Sequence, residues 1–282
     1  MTLNQNDIYA FIKALKENSE YDFSQYAPKS FFRRVEKLIE DFGEDIYEII
    51  EKINEGDKDY IQRIVNQLTV NTTEFFRDPK VWHVIRYQIL PKLRQNDKIN
   101  IWHPGCSSGQ EVYSMLILLN EKGLLDLANV YGSDINTEML NMATKGEYSY
   151  RLNVEYLQNF DEVIRKNPYN YQEYRNVPYS KYFHIDPIND IIEVKPFLRK
   201  KAKFIKHDIT KLNNPFDTSF DLIVCRNLLI YFNRNLQSKV INFFYNSLIY
   251  PGYLVLGYHE SILSADAYNF HRQNYYYAKK II

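Results

Sequence analysis

The stretch IWHPGCSSGQE, residues 101–111, reads as a buried strand running into a glycine-bearing turn and then a helix. What that turn presents to solvent decides the fold, and two chemistries compete for it. Gly105-Cys106-Ser107-Ser108-Gly109 matches the G-x-S-x-G nucleophile elbow of serine hydrolases, with Ser107 as nucleophile. It equally matches the first strand–helix turn of a cofactor-binding sheet, where glycines let backbone approach a ligand. Glycine is scarce, 9 of 282 residues, so one placed in a turn carries weight.

Downstream of residue 99, short apolar strands alternate with helical segments. The strands are INIW (99–102), NVYGSDI (129–135), AKFIKHDI (202–209), FDLIVCRN (220–227) and YLVLGYHE (253–260). That alternation predicts an α/β fold with a parallel, doubly wound sheet. NYYYAKKII (274–282) is expected to add a final antiparallel strand. Upstream, residues 1 to about 75 have helical periodicity and almost no strand signal. Phe31, Val35, Leu38, Ile39 and Phe42 share one helical face, and Gly43 stops the run. A small acidic helical domain is expected there. Residues of about 150–200 interrupt the alternation with a Tyr-, Asn- and Pro-rich run. Because long structureless loops are unusual inside a domain, a small inserted β-rich subdomain is expected. The expected organisation is thus a helical domain over 1–75 and a sheet domain over 76–282 that carries the insertion.

Lys+Arg and Asp+Glu both number 35, so no general positive charge draws this chain to nucleic acid. The two cysteines, Cys106 and Cys225, lack metal spacing and read as buried thiols of a reducing compartment. The six histidines show no ligand-spaced pair, so no metal site is expected. The amino terminus has no basic region before its apolar stretch, which Lys13 breaks, so it is not a signal peptide. No run approaches the roughly 18 apolar residues of a membrane span. A cytoplasmic monomer without membrane insertion is expected.

The elbow reading needs an acid and then a histidine at later strand ends, and oxyanion donors from an earlier strand's loop. His259 with Asp208 or Asp221 supplies the residue types, but the chain before Gly105 is helical and offers no earlier strand. The cofactor reading needs an acid at the end of the second strand, and Asp134 stands there to accept from both hydroxyls of a ribose. The dinucleotide spacing G-x-G-x-x-G is absent, and no G-K-[ST] follows the turn. A ligand with a ribose and no phosphate fits better. S-adenosylmethionine is such a ligand, and Glu111 stands where it can pair with the ammonium.

Two further stretches, NTTEFFRDP (71–79) and CRNLLIYF (225–232), flank this core. Together with GCSSGQE they resemble the CheR-type chemotaxis receptor methyltransferases, which use S-adenosylmethionine to methyl-esterify receptor glutamates. The resemblance covers nearly the whole chain. It implies a Rossmann-like class I methyltransferase sheet, with the cytoplasmic helical region of chemotaxis receptors as partner. It implies that Asn71, Thr73 and Arg77 fold over the cofactor, that Gly105 lets it approach, and that Glu111 meets its methionine end. It further implies that Asp134 holds the ribose, Asp208 and Ile209 the adenine (often Asn-Leu in the family), and that Asn227 and Leu228 line the cofactor. Gln110 stands where many members have a second Glu. Arg77 and Tyr231 match the catalytic pair that would orient and neutralise the incoming carboxylate.

Each residue also has a plainer reading. Asn71 and Thr73 would cap a helix over TEFFRD. Arg77 would pair with Asp78 or Glu74, and Glu111 would favour a helix first turn. Tyr231 would be a packing aromatic, one of 25 tyrosines. Lys29, Arg33, Arg34 and Lys37 lie on one helix away from its apolar face. They read either as a docking strip for an acidic receptor helix or as a solvated face paired with Glu36 and Glu40. Some family members dock a receptor peptide on the insertion through a glycine-containing turn, and residues 153–200 contain no glycine. A hydrolase using Ser107 and a non-catalytic S-adenosylmethionine-binding adaptor are the rival functions.

Overall fold

Four amino-terminal helices form where capping chemistry and apolar periodicity coincide. In the computed structural model, which describes residues 3–280, they are α1 (Gln5–Asn18), α2 (Pro28–Phe42), α3 (Ile46–Asn54) and α4 (Lys58–Leu68). Asn4 and Asp45 build reciprocal capping boxes with Asp7 and Glu48, and Asp57 caps α4. Pro28 opens α2, and Gly43 ends it in the left-handed region at φ 66°. Phe31, Val35 and Leu38 of α2 are buried against Phe11, Leu15, Ile49, Ile53 and Ile64. Each such burial is worth about 1.5–3 kcal/mol and each cap about 1 kcal/mol, so packing rather than capping holds the bundle together.

The main sheet has the order β6-β2-β1-β7-β8-β10-β9. Its strands are β1 (Ile99–Pro104), β2 (Ala128–Asp134), β6 (Ala202–Lys206), β7 (Phe220–Cys225), β8 (Leu248–Leu256), β9 (Phe270–Arg272) and β10 (Tyr276–Lys279). The first five in that order pair in parallel, and β10 runs antiparallel to both β8 and β9. The final strand is antiparallel as the sequence predicts, although its expected last two residues, 281 and 282, lie outside the described residues. β9, only three residues long, gives no sequence signal of its own. The chain steps outward from β1 through β2 to β6, then crosses back to β7 and β8. The direction of winding therefore reverses between β1 and β7, and the carboxyl ends of these two strands open a crevice.

The insertion between β2 and β6 departs from a purely β-rich unit. It has a three-stranded antiparallel sheet, β3 (Glu147–Ser149), β5 (Ile191–Val194) and β4 (Phe183–Asp186), but residues 150–165 are helical turns. Its apolar side chains join the core on one face of the main sheet rather than forming their own. Phe75 meets Tyr148 at 5.3 Å and Phe183 at 5.1 Å, and Phe76 meets Phe160 at 5.8 Å. Phe75 and Phe76 are thus core, and they pin the 69–78 linker between sheet and insertion. That linker has no helix, with a turn at Phe75-Phe76 and left-handed Phe76 and Asp78, and the next helix begins only at Pro79, so Asn71 and Thr73 cap nothing.

Candidate functional site

The turn after β1 is shaped by contacts that exclude side chains. A Cβ on Gly105 (φ +70°) would lie 2.9 Å from Leu228 Cδ2, and one on Gly109 (φ +88°) would lie 2.8 Å from Ala143 Cβ. Between them Ser107 also adopts a left-handed conformation, at φ 49°. The backbone N–H of Ser107 donates to Asp134 Oδ2 at 2.8 Å, and that of Asn136 donates to Oδ1 at 2.9 Å. Asp134 therefore ties the ends of β1 and β2 together while keeping about two of its roughly four lone-pair sites free. Burial raises its pKa, against the opposing pull of these N–H donors. Asn136 caps the next helix and its Nδ2 reaches back to Asn66 O, Thr69 Oγ1 and Asn71 Oδ1, fastening the linker over the turn.

Beyond the turn, Glu111 sits in the first helical turn with both carboxylate oxygens engaged. Oε1 meets His103 Nδ1 at 2.9 Å, and Oε2 accepts from Arg226 Nη1 at 2.9 Å. Arg226 Nη2 continues to Asp78 Oδ2 at 2.6 Å and Arg77 O at 2.8 Å. Burial opposes ionisation of Glu111, yet His103 and Arg226 hold its pKa below the usual carboxylate range. The Arg226 side chain is 1% exposed, so its charge is committed to this network and not to solvent.

The third wall is the turn after β7. Asn227 is left-handed at φ 58°, and a short 3-10 turn, Leu229–Tyr231, follows. The helical bundle docks on this turn: Ala27 N donates to Tyr231 O at 2.9 Å and Asn233 N to Gln25 O at 2.9 Å. Arg34 lies with Cζ 4.1 Å from the centre of the Tyr231 ring and donates through Nη1 to Leu68 O at 2.8 Å. Its Nη2 is buried without a partner. Arg34 thus leaves the expected surface strip, because it is three residues from Phe31 and four from Leu38 and borders the buried face. Lys29, Arg33 and Lys37 remain exposed, and among the described residues none of them pairs with Glu36, Glu40 or any other acid. Burial raises the pKa of Tyr231, so its phenol is protonated at neutral pH.

These walls enclose a cleft of ≈ 1280 Å³ of empty space, solvent-filled mouth included. Thr73, Arg77, Gly105, Glu111 and Asp134 line it, as do Asp208, Ile209, Asn227, Leu228 and Tyr231. Asn71 does not: its side chain is spent on Thr69 and Asn136, and its carbonyl accepts from Ser107 Oγ. Arg77 makes no ion pair with Asp78 or Glu74, since Asp78 is taken by Arg226; its Nη1 makes one long contact, 3.4 Å, to Thr72 O. Tyr26, Arg34, His207 and Arg226 also line the cleft, none of them expected there from the sequence, and His103 lies fully buried behind Glu111. Helical periodicity carried the signal for Arg34. Nothing local carried one for His103.

The nucleophile elbow lacks its partners. Ser107 Oγ donates to Asn71 O at 3.2 Å, and among the described residues no imidazole bonds to it. Asp221 is at the opposite end of β7 from the cleft, accepting from Asn96 and Asn100. Both thiols, Cys106 and Cys225, are buried, and burial pushes their pKa values up, which disfavours the thiolate.

The family described as CheR methyltransferase, SAM binding domain, matches residues 71–166 and 162–277. The chain is 32% identical over 265 residues to a Pseudomonas putida protein designated methyltransferase Cher3, covering 93% of this chain and 92% of that one. It is 28% identical over 283 residues to the chemotaxis protein methyltransferase of Listeria innocua, covering 98% of each. It is also 32% identical over 213 residues to the chemotaxis protein methyltransferase of Borreliella burgdorferi, covering 71% of this chain and 67% of that one.

Proposed function

The chain belongs to the CheR methyltransferase family and is an S-adenosylmethionine-dependent methyltransferase; we propose that its acceptors are glutamate side chains on the cytoplasmic helical region of chemotaxis receptors. The observation that carries this reading is the charge at one end of the cleft. There Arg77 is free of any carboxylate and Tyr231 presents a neutral phenol under Arg34. Two guanidinium groups and a hydroxyl donor suit an incoming anion.

The residues present fit the cofactor. Gly105, at φ +70°, holds a left-handed turn that an L side chain rarely adopts, beside Leu228 in the cleft wall. Asp134 keeps acceptor capacity for ribose hydroxyls. Glu111, held ionised, faces the cleft where an ammonium can share its carboxylate with Arg226 and His103. Asp208 and Ile209 stand one strand further out, at the adenine end of this reading. When bound, S-adenosylmethionine supplies an activated methyl group on a sulfonium. The acceptor glutamate is already ionised at neutral pH, with a reference pKa of about 4.3, so no proton has to move. The protein's task is alignment, which can contribute roughly 7–11 kcal/mol. In this account Arg77 and Tyr231 orient the carboxylate, and Arg34 holds the phenol and adds charge. Lys29, Arg33 and Lys37 form the outer docking strip that draws in an acidic helix.

In the same reading the helical unit over 1–75 is the receptor-facing domain and residues 76–282 carry the chemistry. Among the described residues no helix is long and apolar enough to cross a membrane. We place the enzyme in the cytoplasm as a monomer, where its receptor partners expose their methylation helices. The test is calorimetry with S-adenosylhomocysteine followed by methylation of receptor cytoplasmic fragments. Binding with base-labile methyl incorporation on glutamates is expected. Binding without transfer to any fragment would reduce the protein to a cofactor-sensing adaptor.

A further inference from the structure

At the start of the turn that carries Asn227 and Tyr231 the strand ladder stops at Cys225, and the backbone bond from Ala27 reaches only its far end, at Tyr231 O. Asn227 is left-handed, which ends the β7 ladder and turns its N–H away from the sheet. Unpaired N–H groups in a partly enclosed turn would cost stability and leave its geometry loose. Their partner is a side chain from the loop after β8. Glu260 Oε2 accepts from Asn227 N at 2.7 Å and from Gly257 N at 2.8 Å, and Oε1 accepts from Ile230 N at 3.2 Å. Among the described residues no cation pairs with this carboxylate. The loop is shaped to bring it there, because a Cβ on Gly257 would lie 2.5 Å from Glu260 Oε2 and 3.0 Å from Asn227 N.

We propose that Glu260 is a positioning residue for methyl transfer: its carboxylate grips the backbone of the 227–230 turn from beneath and so fixes where Tyr231 meets the acceptor. Glu260 does not line the cofactor cleft. Its effect passes through the amides of Asn227 and Ile230, one at each end of the segment that leads into Tyr231. The far end of the same turn is tied to the helical domain by backbone bonds from Ala27 N to Tyr231 O and from Asn233 N to Gln25 O. The phenol is therefore clamped between the helical domain and Glu260. Burial raises the pKa of Glu260, while the three N–H donors favour its charged form. The inference rests on the reading that Tyr231 faces the acceptor carboxylate.

The test uses the full chain with Glu260→Gln and, separately, Gly257→Ala. In Glu260→Gln the amide oxygen can keep the Asn227 and Gly257 bonds, and the NH2 then opposes the Ile230 N–H. S-adenosylhomocysteine affinity should stay within about threefold of the parent. The kcat for receptor fragments should fall about tenfold, the size of one lost bond to a charged group, with little change in KM. Amide hydrogen exchange in 227–231 should accelerate, and exchange in β7 should not. Gly257→Ala, which displaces the carboxylate without removing it, should reproduce both effects. The double variant should lose little more than either single one. Parent-like kcat together with parent-like exchange in the turn would overturn the proposal. So would a loss of turnover that only tracks a loss of folded, cofactor-binding protein. If the parent transfers no methyl to receptor fragments, the acceptor reading fails instead, and exchange in the turn still decides whether Glu260 holds it.

Discussion

Replacing Asp134 by Asn changes a single oxygen, but that oxygen has two duties. One carboxylate oxygen accepts from Ser107 N at 2.8 Å and the other from Asn136 N at 2.9 Å, and the residue lines the cleft. An amide keeps one acceptor oxygen and sets an NH2 against the other N–H. With Asp134 as the proposed ribose ligand, the variant would lose one charge-assisted contact to a ribose hydroxyl and weaken the turn that presents it. A hydrogen bond to a charged group is worth about 1.5–3 kcal/mol, and about 1.4 kcal/mol is tenfold in affinity. S-adenosylhomocysteine should thus bind roughly 10- to 150-fold more weakly. A pH arm separates charge from shape. Burial raises the pKa of Asp134 in the folded protein, so protonation begins at higher pH than for an ordinary aspartate. Parent affinity should decline as pH falls through that raised pKa, and the Asn variant should lack this part of the decline. Stability moves the other way. The protonated form favours the folded state, so the contribution is complete below the unfolded pKa and is lost as pH rises through the folded one. Calorimetry at two pH values and thermal melts without ligand read both signs. An Asn variant that bound as tightly as the parent at neutral pH would remove Asp134 from the cofactor site.

Ser107→Ala should keep methyl transfer within about threefold of the parent, because the hydroxyl makes only one long bond to Asn71 O; abolished turnover with cofactor binding intact would reopen the elbow reading. Reversing Lys29, Arg33 and Lys37 to Glu should slow methylation of receptor fragments at low ionic strength and matter less as salt rises, since exposed charges mainly steer encounter; equal rates at low salt would leave that face without a docking role. Arg34→Ala should instead cut kcat at every ionic strength, because Arg34 stacks on Tyr231 inside the cleft. Glu111→Gln should weaken cofactor binding and, by leaving Arg226 short of one charge partner, also lower the melting temperature; an unshifted melt would contradict the charge network described here.

The sheet was legible because its strands are short apolar runs with turn residues at their ends: β6 and β7 fall within the expected runs, β1 extends its run by two residues and β2 begins one residue early. The strand-end residues followed, since Gly105, Asp134, Asp208 and Asn227 stand just past, or at, the carboxyl ends of adjacent parallel strands. The network around Glu111 was not legible. His103 belongs to β1, Arg226 follows β7 and Asp78 precedes a helix, so only tertiary pairing brings them together. Arg34 was misread for a narrower reason: four cations on one helix suggested one surface, whereas its spacing from Phe31 and Leu38 places it at the core boundary. The insertion was read as β-rich because its tyrosines and prolines obscure helical turns that are held mainly by packing against Phe76 and the sheet domain.

The central claim is that this cleft carries a methyl group to receptor glutamates. The most direct measurement is mass spectrometry of receptor cytoplasmic fragments incubated with the enzyme and isotopically labelled S-adenosylmethionine, alongside an Arg77→Ala, Tyr231→Phe variant whose cofactor binding has been verified. The account predicts label on specific glutamate side chains, released by mild base, and far less of it with the variant. Label on other residue types, or equal labelling by the variant, would contradict it.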